Sequence, residues 1–217
     1  MQTQAENISA YKAFKIPAKI VSYVLHPLFI PTFIFFWLTY RFPMKFEGIT
    51  AFALLMRKIN VFWMTAFFPA FSVFLLWRLK LIDNIFLRTQ RERIAPYIIT
   101  MIFYWWMWYL SRNFPDQPYV LRFFYLGIFF ATIIGLTANN FFKISMHAMG
   151  IGGALCFIIL TCSTYGVFLG IDIVVATVIA GLVCSSRLLL NHHSNFEVYA
   201  GFFTGVFCQV ITYWIVM

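Results

Sequence analysis

Charged residues are scarce in this sequence. Asp, Glu, Lys and Arg make up 11% of its 217 residues, whereas 62% of the residues are hydrophobic. Soluble domains carry about 25% charged and about 45–50% apolar residues, so this chain has too few polar side chains to cover a surface that faces water. The composition excludes a soluble globular protein and indicates a chain embedded in a membrane.

Acidic residues are scarcer than basic ones, and the imbalance leaves a net positive charge. The sequence has 7 Asp and Glu against 16 Lys and Arg, a formal charge of +9. In membrane proteins, Lys and Arg beside the spans set the topology and contact anionic lipid headgroups, and we interpret the excess in this way. The alternative is binding of an anionic substrate. No nucleic-acid partner is expected.

Patterns of metal ligands are also missing. The four cysteines lie inside apolar runs, and none belongs to a C-x-x-C pair, which argues against a zinc motif of that kind and a disulfide framework. His192 and His193, with His147 and Glu197, suggest a metal site. Adjacent residues of a helix, however, point about 100° apart, and we therefore predict no metal and no cofactor.

Long apolar stretches are abundant. A helix needs about 20 mostly apolar residues to cross the ~30 Å hydrocarbon core. On this criterion we predict seven spans: 21–40, 60–79, 96–111, 120–138, 147–168, 171–186 and 197–217. The third and sixth are short, so six spans with one re-entrant segment is the alternative. The predicted fold is therefore an all-α, polytopic transmembrane helix bundle.

We predict two parts in the chain. Residues 1–20 form a polar or interfacial segment, and residues 21–217 form a single transmembrane domain. No small-residue cleavage site follows the polar start, so the first apolar segment is expected to be retained. Within that segment, prolines would kink the helix around His26, which we expect to be buried and hydrogen-bonded. Gly150, Gly152 and Gly153 indicate close helix packing.

The polar connections between the spans alternate in a way that predicts a site. If every span crosses the membrane, the connections at 80–95, 139–146 and 187–196 lie on one side, together with the N-terminus. These connections contain two of the four histidines and four of the nine arginines, and a third histidine, His147, directly follows the second connection. Three separate connections are thus predicted to converge on one membrane face.

The connection after the sixth predicted span has the strongest pattern. His193 and Glu197 are four residues apart, hence on one helix face. A carboxylate at this distance can accept the Nδ1 proton of the imidazole and raise the nucleophilicity of Nε2. The alternative is an interfacial His–Glu pair that only caps the helix.

The other two connections carry cationic and hydroxyl groups suited to phosphate. Lys143, Ser145 and His147 stand at the start of the fifth predicted span, where backbone N–H groups also favour an anion. The alternative is that Ser145 caps the helix and Lys143 extends to the headgroups. The third stretch holds the arginines Arg88, Arg91 and Arg93. Their guanidinium groups suit bidentate phosphate binding, and they equally fit the topology signal of basic residues.

In this order, the three stretches resemble the motifs of a known family. Residues 186–197 read S-R-x5-H-x3-E, residues 144–147 read I-S-M-H, and residues 93–96 read R-I-A-P. They are similar to the motifs S-R-x5-H-x3-D, P-S-G-H and K-x6-R-P of the type 2 phosphatidic acid phosphatase superfamily. The chain departs from these motifs in four ways. Glu197 replaces Asp and Met146 replaces Gly, Arg93 precedes Pro96 by three positions instead of one, and Phe86 stands where the first motif has Lys.

The resemblance implies a role for each matching residue. His193 would be the nucleophile that forms a phosphohistidine, Glu197 would orient it, and His147 would protonate the leaving group. The phosphoryl oxygens would be bound by the remaining candidates, namely Arg187, Ser145, Arg93, Arg88, Arg91 and Lys143. The expected activity is a metal-independent lipid phosphatase, acting on a lipid phosphomonoester or pyrophosphate.

The resemblance also implies the class of substrate and the membrane in which the protein is expected. Candidate substrates are phosphatidic acid, phosphatidylglycerol phosphate, a polyprenyl pyrophosphate and a lipid A phosphate. The expected location is a bacterial inner membrane, with the site near the outer leaflet and membrane lipids as partners. Because of the departures from the motifs, the alternative is a catalytically inactive homologue that binds or transports lipids.

Overall fold

The computed structural model describes residues 14–85, 87, 89–114 and 116–217. Over these residues the regular structure is helical and contains no strand, which confirms the predicted all-α fold. Most of the predicted N-terminal segment and the candidate phosphate ligand Arg88 lie outside the described residues.

Nine α-helices follow one another along the described chain. In order they are α1 (14–24), α2 (Ile30–Arg41), α3 (Ala51–Phe62), α4 (Phe68–Arg78), α5 (Gln90–Asn113), α6 (Val120–Ala138), α7 (Met146–Thr164), α8 (Gly170–Leu189) and α9 (Asn195–Val216). A π-helical turn, Trp63–Phe67, joins α3 and α4 into one continuous helix of 28 residues.

Five of the helices in the described chain are long and apolar enough to cross a membrane: Ala51–Arg78, Val120–Ala138, Met146–Thr164, Gly170–Leu189 and Asn195–Val216. Large apolar side chains such as Phe203 and Trp214 on α9 are exposed, as expected of a surface that faces lipid. The chain is therefore an integral membrane protein. The six or seven predicted spans are not confirmed.

Two of the seven predicted spans are not among the five long apolar helices. The span predicted at 21–40 is interrupted at residues 25–29, around Pro27, and α2 has only 12 residues, or about 18 Å at 1.5 Å per residue. The break is sharper than the predicted kink. The span predicted at 96–111 lies within α5, which is long enough at 24 residues but is rich in Tyr and Trp and is not among the five. The span predicted to begin at residue 60 begins instead at Ala51.

The helices that follow the three polar connections, α5, α7 and α9, begin with polar N-caps. Ser145 Oγ accepts the Ala148 N–H before α7. Capping boxes precede α5, formed by Thr89 and Glu92, and α9, formed by Ser194 and Glu197. Such side chains satisfy the N–H groups that the first turn of a helix leaves unpaired.

Glycines bring α7 and α9 into close backbone contact. A Cβ on Gly205 would collide with the Met149 carbonyl oxygen. A Cβ on Gly152 would collide with the Phe202 carbonyl oxygen, and one on Gly201 would lie 2.5 Å from the Ser145 carbonyl oxygen. The predicted role of Gly152 in helix packing is confirmed, and this crossing sets the distance between the first turns of α7 and α9.

The three polar connections meet at one end of the bundle, as predicted. The Ser145 N–H donates to the Glu197 carbonyl oxygen at 3.2 Å, and Asn139 Nδ2 donates to the Gln90 carbonyl oxygen at 2.9 Å. The N-termini of α5, α7 and α9 therefore lie together, and their dipoles favour an anion at this end.

The opposite end holds conventional ion pairs. Arg41 pairs with Asp172, and Arg57 with Asp116, each at 2.6 Å. The carboxylates that neutralise arginines in the described residues are thus concentrated away from the convergent connections.

Candidate active site

The predicted contact between His193 and Glu197 is present, but the predicted shared helix face is wrong, because α9 begins at Asn195 and His193 precedes its N-cap, Ser194. His193 Nδ1 lies 3.1 Å from Glu197 Oε2 and 3.0 Å from the carbonyl oxygen of Lys143. A carbonyl oxygen can only accept a hydrogen bond, so Nδ1 must carry the proton. Nε2 of the neutral imidazole then holds the lone pair, and it has no hydrogen-bond partner among the described residues.

The helix-capping alternative is also correct for Glu197. Its Oε2 accepts the N–H of Ser194 at 3.1 Å while Ser194 Oγ accepts the N–H of Glu197 at 3.3 Å. One carboxylate oxygen therefore serves both the capping box and the imidazole. Before the box, Asn191 adopts a left-handed conformation with φ of 52°, which Asn tolerates better than most residues and which lets the chain turn sharply out of α8.

The surroundings of His193 keep its ring neutral. Its side chain is 2% exposed. Burial, followed by the positive charges of Arg187 and Arg93, lowers the pKa of His193 to about 3. The imidazole is therefore neutral at pH 7, with Nε2 unprotonated, which is the form that can act as a nucleophile.

Arg187 is held by neutral groups only. It lies in the last turn of α8, is 8% exposed, and donates from Nη1 to Ser22 Oγ at 3.2 Å. Its Nε is buried without a partner. No carboxylate of the described residues lies within 4.0 Å of its guanidinium group.

Arg93 has the same kind of environment. It is 7% exposed and donates to the carbonyl oxygens of Leu87, at 3.0 Å, and Ile144, at 3.3 Å. It too lacks a carboxylate within 4.0 Å in the described chain. Buried charges are normally paired, so two buried guanidinium groups without a direct ion-pair partner in the described chain favour a site that receives an anion.

His147 lies in the first turn of α7 and is oriented by α1. Its Nε2 is 3.1 Å from the carbonyl oxygen of Ser22, so Nε2 is the protonated nitrogen. The ring of His26 packs edge-on against it with centroids 5.1 Å apart. His147 lines the same cavity as His193, but no hydrogen bond joins the two imidazoles.

The remaining predicted phosphate ligands are placed differently. Ser145 is fully buried and caps α7, in agreement with the capping alternative, and Arg91 is exposed on the first turn of α5. Neither lines the cavity. Lys143 does line it, and burial followed by the charge of Arg93 lowers the pKa of its ammonium group.

A cavity of about 800 Å³ connects these groups with the interior of the bundle. Its cationic side chains are Lys19, Arg93, Lys143 and Arg187, and no Asp or Glu of the described residues lines it. The rest of the lining is largely apolar and comes mainly from α2, α4, α5, α6 and α7. The cavity reaches Gln209, twelve residues after Glu197 in α9, which is about 18 Å at 1.5 Å per residue.

Several residues of this cavity were not assigned to the site by the sequence. Ser22 and His26 lie four residues apart at the end of α1 and in the break that follows it, and they belong to no motif. Tyr97, one turn after Arg93, is fully buried with an unpartnered hydroxyl group. The only sequence signal was the spacing of a serine and a histidine within an apolar segment. His26, expected to be hydrogen-bonded, accepts the Leu28 N–H at 3.4 Å.

The described residues contain no group of three or more His, Cys, Asp or Glu side chains arranged to hold a metal ion. Comparison of the chain with protein-family models, curated proteins and solved structures gives no match. The resemblance to the phosphatidic acid phosphatase motifs therefore stays a prediction, and a functional argument for this protein rests on the geometry of the cavity.

Proposed function

We propose that this protein is a metal-independent lipid phosphatase that acts through a phosphohistidine on His193. The observation that carries the proposal is the pairing of two buried guanidinium groups, both without carboxylates, with a histidine whose Nε2 is unprotonated. The arginines suit the oxygens of a phosphoryl group. The histidine supplies a nucleophile at the same place.

In the first step, Nε2 of His193 attacks phosphorus and a P–N bond forms. The P–O bond to the lipid, or to the leaving phosphate of a pyrophosphate, breaks, and the leaving oxygen takes a proton from the protonated form of His147. The imidazole of His193 gains positive charge, because Nδ1 keeps its proton. The carboxylate of Glu197, 3.1 Å away, stabilises that charge.

In the second step, water attacks the phosphorus and gives its proton to His147. The P–N bond breaks, inorganic phosphate leaves, and Nε2 of His193 recovers its lone pair. Arg93 and Arg187 neutralise the charge on the phosphoryl oxygens throughout. Fixed positive groups of this kind stabilise a transition state without reorganisation.

The shape and lining of the cavity support a lipid as the substrate. Cations and imidazoles lie at the end where the polar connections meet. The apolar part of the cavity extends along the helices to the level of Gln209, about 18 Å from Glu197 at 1.5 Å per residue. A phosphate at the cationic end and an acyl or prenyl chain in the apolar part fit this distribution of polarity. We further propose a bacterial inner membrane as its location, with the site near the outer leaflet.

A second candidate function is binding or transport of a lipid phosphate without hydrolysis. It is favoured by the missing hydrogen bond between His147 and His193 and by Met146, which stands where the resembling motif has Gly. The same cavity would then bind the lipid phosphate, and His193 would be dispensable.

The test is phosphate release from phosphatidic acid, phosphatidylglycerol phosphate and a polyprenyl pyrophosphate by the purified protein in EDTA. We expect release from at least one lipid, loss of release in His193→Ala, and inhibition by orthovanadate. Arg78→Gln, which changes an exposed arginine at the end of α4, is the matched control for Arg93→Gln and Arg187→Gln. Lipid binding without release by a folded wild type would favour the second candidate.

A further inference from the structure

The first described helix contributes a residue that contacts both halves of the site. Ser22 lies on α1 and is 6% exposed. Its Oγ accepts a hydrogen bond from Arg187 Nη1 at 3.2 Å, and its carbonyl oxygen accepts one from His147 Nε2 at 3.1 Å. A single residue outside the predicted motifs thus touches the anion-binding arginine and the histidine of the second motif.

The hydrogen bonds around the Ser22 hydroxyl run in one direction. Ser186 Oγ donates to the Val183 carbonyl oxygen at 2.7 Å. In the contact of 3.2 Å between Ser22 Oγ and Ser186 Oγ, Ser22 must therefore be the donor. The chain of donors runs from Arg187 through Ser22 and Ser186 to a carbonyl group. Bonds aligned in this way polarise and strengthen one another.

The chemical nature of this chain matters for the charge of the site. A carboxylate would orient Arg187 equally well but would neutralise it, as Asp116 does for Arg57 at the opposite end. Hydroxyl and carbonyl groups restrain the guanidinium group and leave its charge available to an anion.

The carbonyl oxygen of Ser22 determines which nitrogen of His147 can exchange a proton. Because Nε2–H of His147 donates to a carbonyl oxygen, Nε2 cannot accept a proton while the bond persists. Nδ1 is left for exchange. The ring of His26 covers one side of His147 at 5.1 Å between centroids, and this contact further restricts rotation of the imidazole.

We propose that Ser22 is a positioning residue of the phosphatase site. Its hydroxyl group orients Arg187 towards the phosphoryl oxygens, and its carbonyl group makes Nδ1 of His147 the nitrogen that gives up and takes back the proton. The inference rests on the proposed phosphatase function and adds α1 to the elements that build the site.

The test compares Ser22→Ala and Ser22→Thr with Ser72→Ala, which removes an exposed hydroxyl group that donates to its own helix. With phosphatidic acid in mixed micelles, we expect Ser22→Ala to lower kcat/KM about tenfold and to raise the inhibition constant of orthovanadate about tenfold. We expect Ser22→Thr to restore most of both and Ser72→Ala to change neither. A loss of folded protein alone would leave the inhibition constant unchanged. Values for Ser22→Ala within twofold of the wild type would overturn the role of the hydroxyl group.

The role of the carbonyl group has its own readout. Nitrogen NMR of ¹⁵N-histidine-labelled protein, with the His147 signals assigned by their loss in His147→Gln, should show the proton of neutral His147 on Nε2. A proton on Nδ1 would overturn this half of the inference.

Failure of the proposed function can be told apart from failure of the inference. If the wild type releases no phosphate from any lipid, thermal stabilisation by orthovanadate replaces the kinetic assay. Weaker stabilisation of Ser22→Ala than of the wild type would then support Ser22 as a positioning residue for an anion site that does not hydrolyse. Equal stabilisation, or none in the wild type, would overturn it.

Discussion

Replacement of Glu197 by Gln separates the two roles of this side chain. The amide has nearly the same size, and its oxygen can still accept the Ser194 N–H, so the capping box of α9 is retained. What disappears is the negative charge beside His193. Loss of that charge in the first turn of a helix costs about 0.3–1 kcal/mol, so Glu197→Gln is expected to fold with a small decrease in Tm.

The catalytic effect can be estimated from the distance of 3.1 Å between His193 Nδ1 and Glu197 Oε2. Two unit charges at this separation interact by about 1 kcal/mol in bulk water and about 5 kcal/mol at an effective dielectric constant of about 20. The Glu197 side chain is 20% exposed, which favours an intermediate value of about 2 kcal/mol. We therefore expect kcat to fall roughly 30-fold.

A larger loss is not expected, because the carbonyl oxygen of Lys143 remains as a second acceptor for Nδ1. Where a carboxylate alone sets the tautomer of a catalytic histidine, its replacement by an amide costs about 10⁴-fold in kcat. Here the protonated nitrogen should stay the same.

The assay is phosphate release at saturating lipid, with Tm measured on the same preparations. Glu92→Gln is the control, because it makes the same change in the capping box of α5; its kcat should stay within threefold of the wild type. If the kcat of Glu197→Gln stays within twofold of the wild type, Glu197 serves only as part of the helix cap and has no catalytic role. A decrease in its kcat of more than about 10³-fold would refute the expectation that Nδ1 of His193 keeps its proton in this variant.

Three further predictions concern stability and pH. Gly205→Ala should lower stability by about 1–3 kcal/mol or prevent folding, because its Cβ would meet a backbone carbonyl group, whereas Gly181→Ala, with open space around it, should leave Tm unchanged in thermal unfolding. Arg187→Met should abolish phosphate release yet raise Tm, since a buried, uncompensated charge is removed; a lower Tm would contradict this account of its environment. The pKa of His193 is about 3 in the fold and 6.5 in the unfolded chain, so the unfolded state binds more protons between these values and stability should fall as the pH drops below 6.5. Thermal unfolding from pH 7 to pH 4 should show a smaller decrease for His193→Ala than for the wild type.

The structure also shows why the contact between His193 and Glu197 could be predicted from the sequence. His193 precedes α9, and Ser194, which lies between His193 and Glu197, is the N-cap of that helix. The local hydrogen bonds of the capping box hold the Glu197 carboxylate next to the cap, and therefore close to His193. The convergence of three connections followed from the alternation of the spans. The connections meet through the contacts of Asn139 with Gln90 and of Ser145 with Glu197, although the first predicted span is broken and α5 is not among the five long apolar helices.

The sequence by itself determined that this is an apolar helical membrane protein and that His193 and Glu197 are in contact, because composition and the short stretch of chain around a helix start are local properties. The tertiary structure alone decided which of the candidate phosphate ligands are brought to the site. Arg93 and Arg187 are buried there, whereas Ser145 is used as a helix cap and Arg91 is exposed, and these outcomes depend on how α5, α7 and α8 pack. It also decided that the carbonyl oxygen of Lys143 and the hydroxyl group of Ser22 orient the site, since contacts between residues 50 and 165 positions apart leave no trace in sequence spacing.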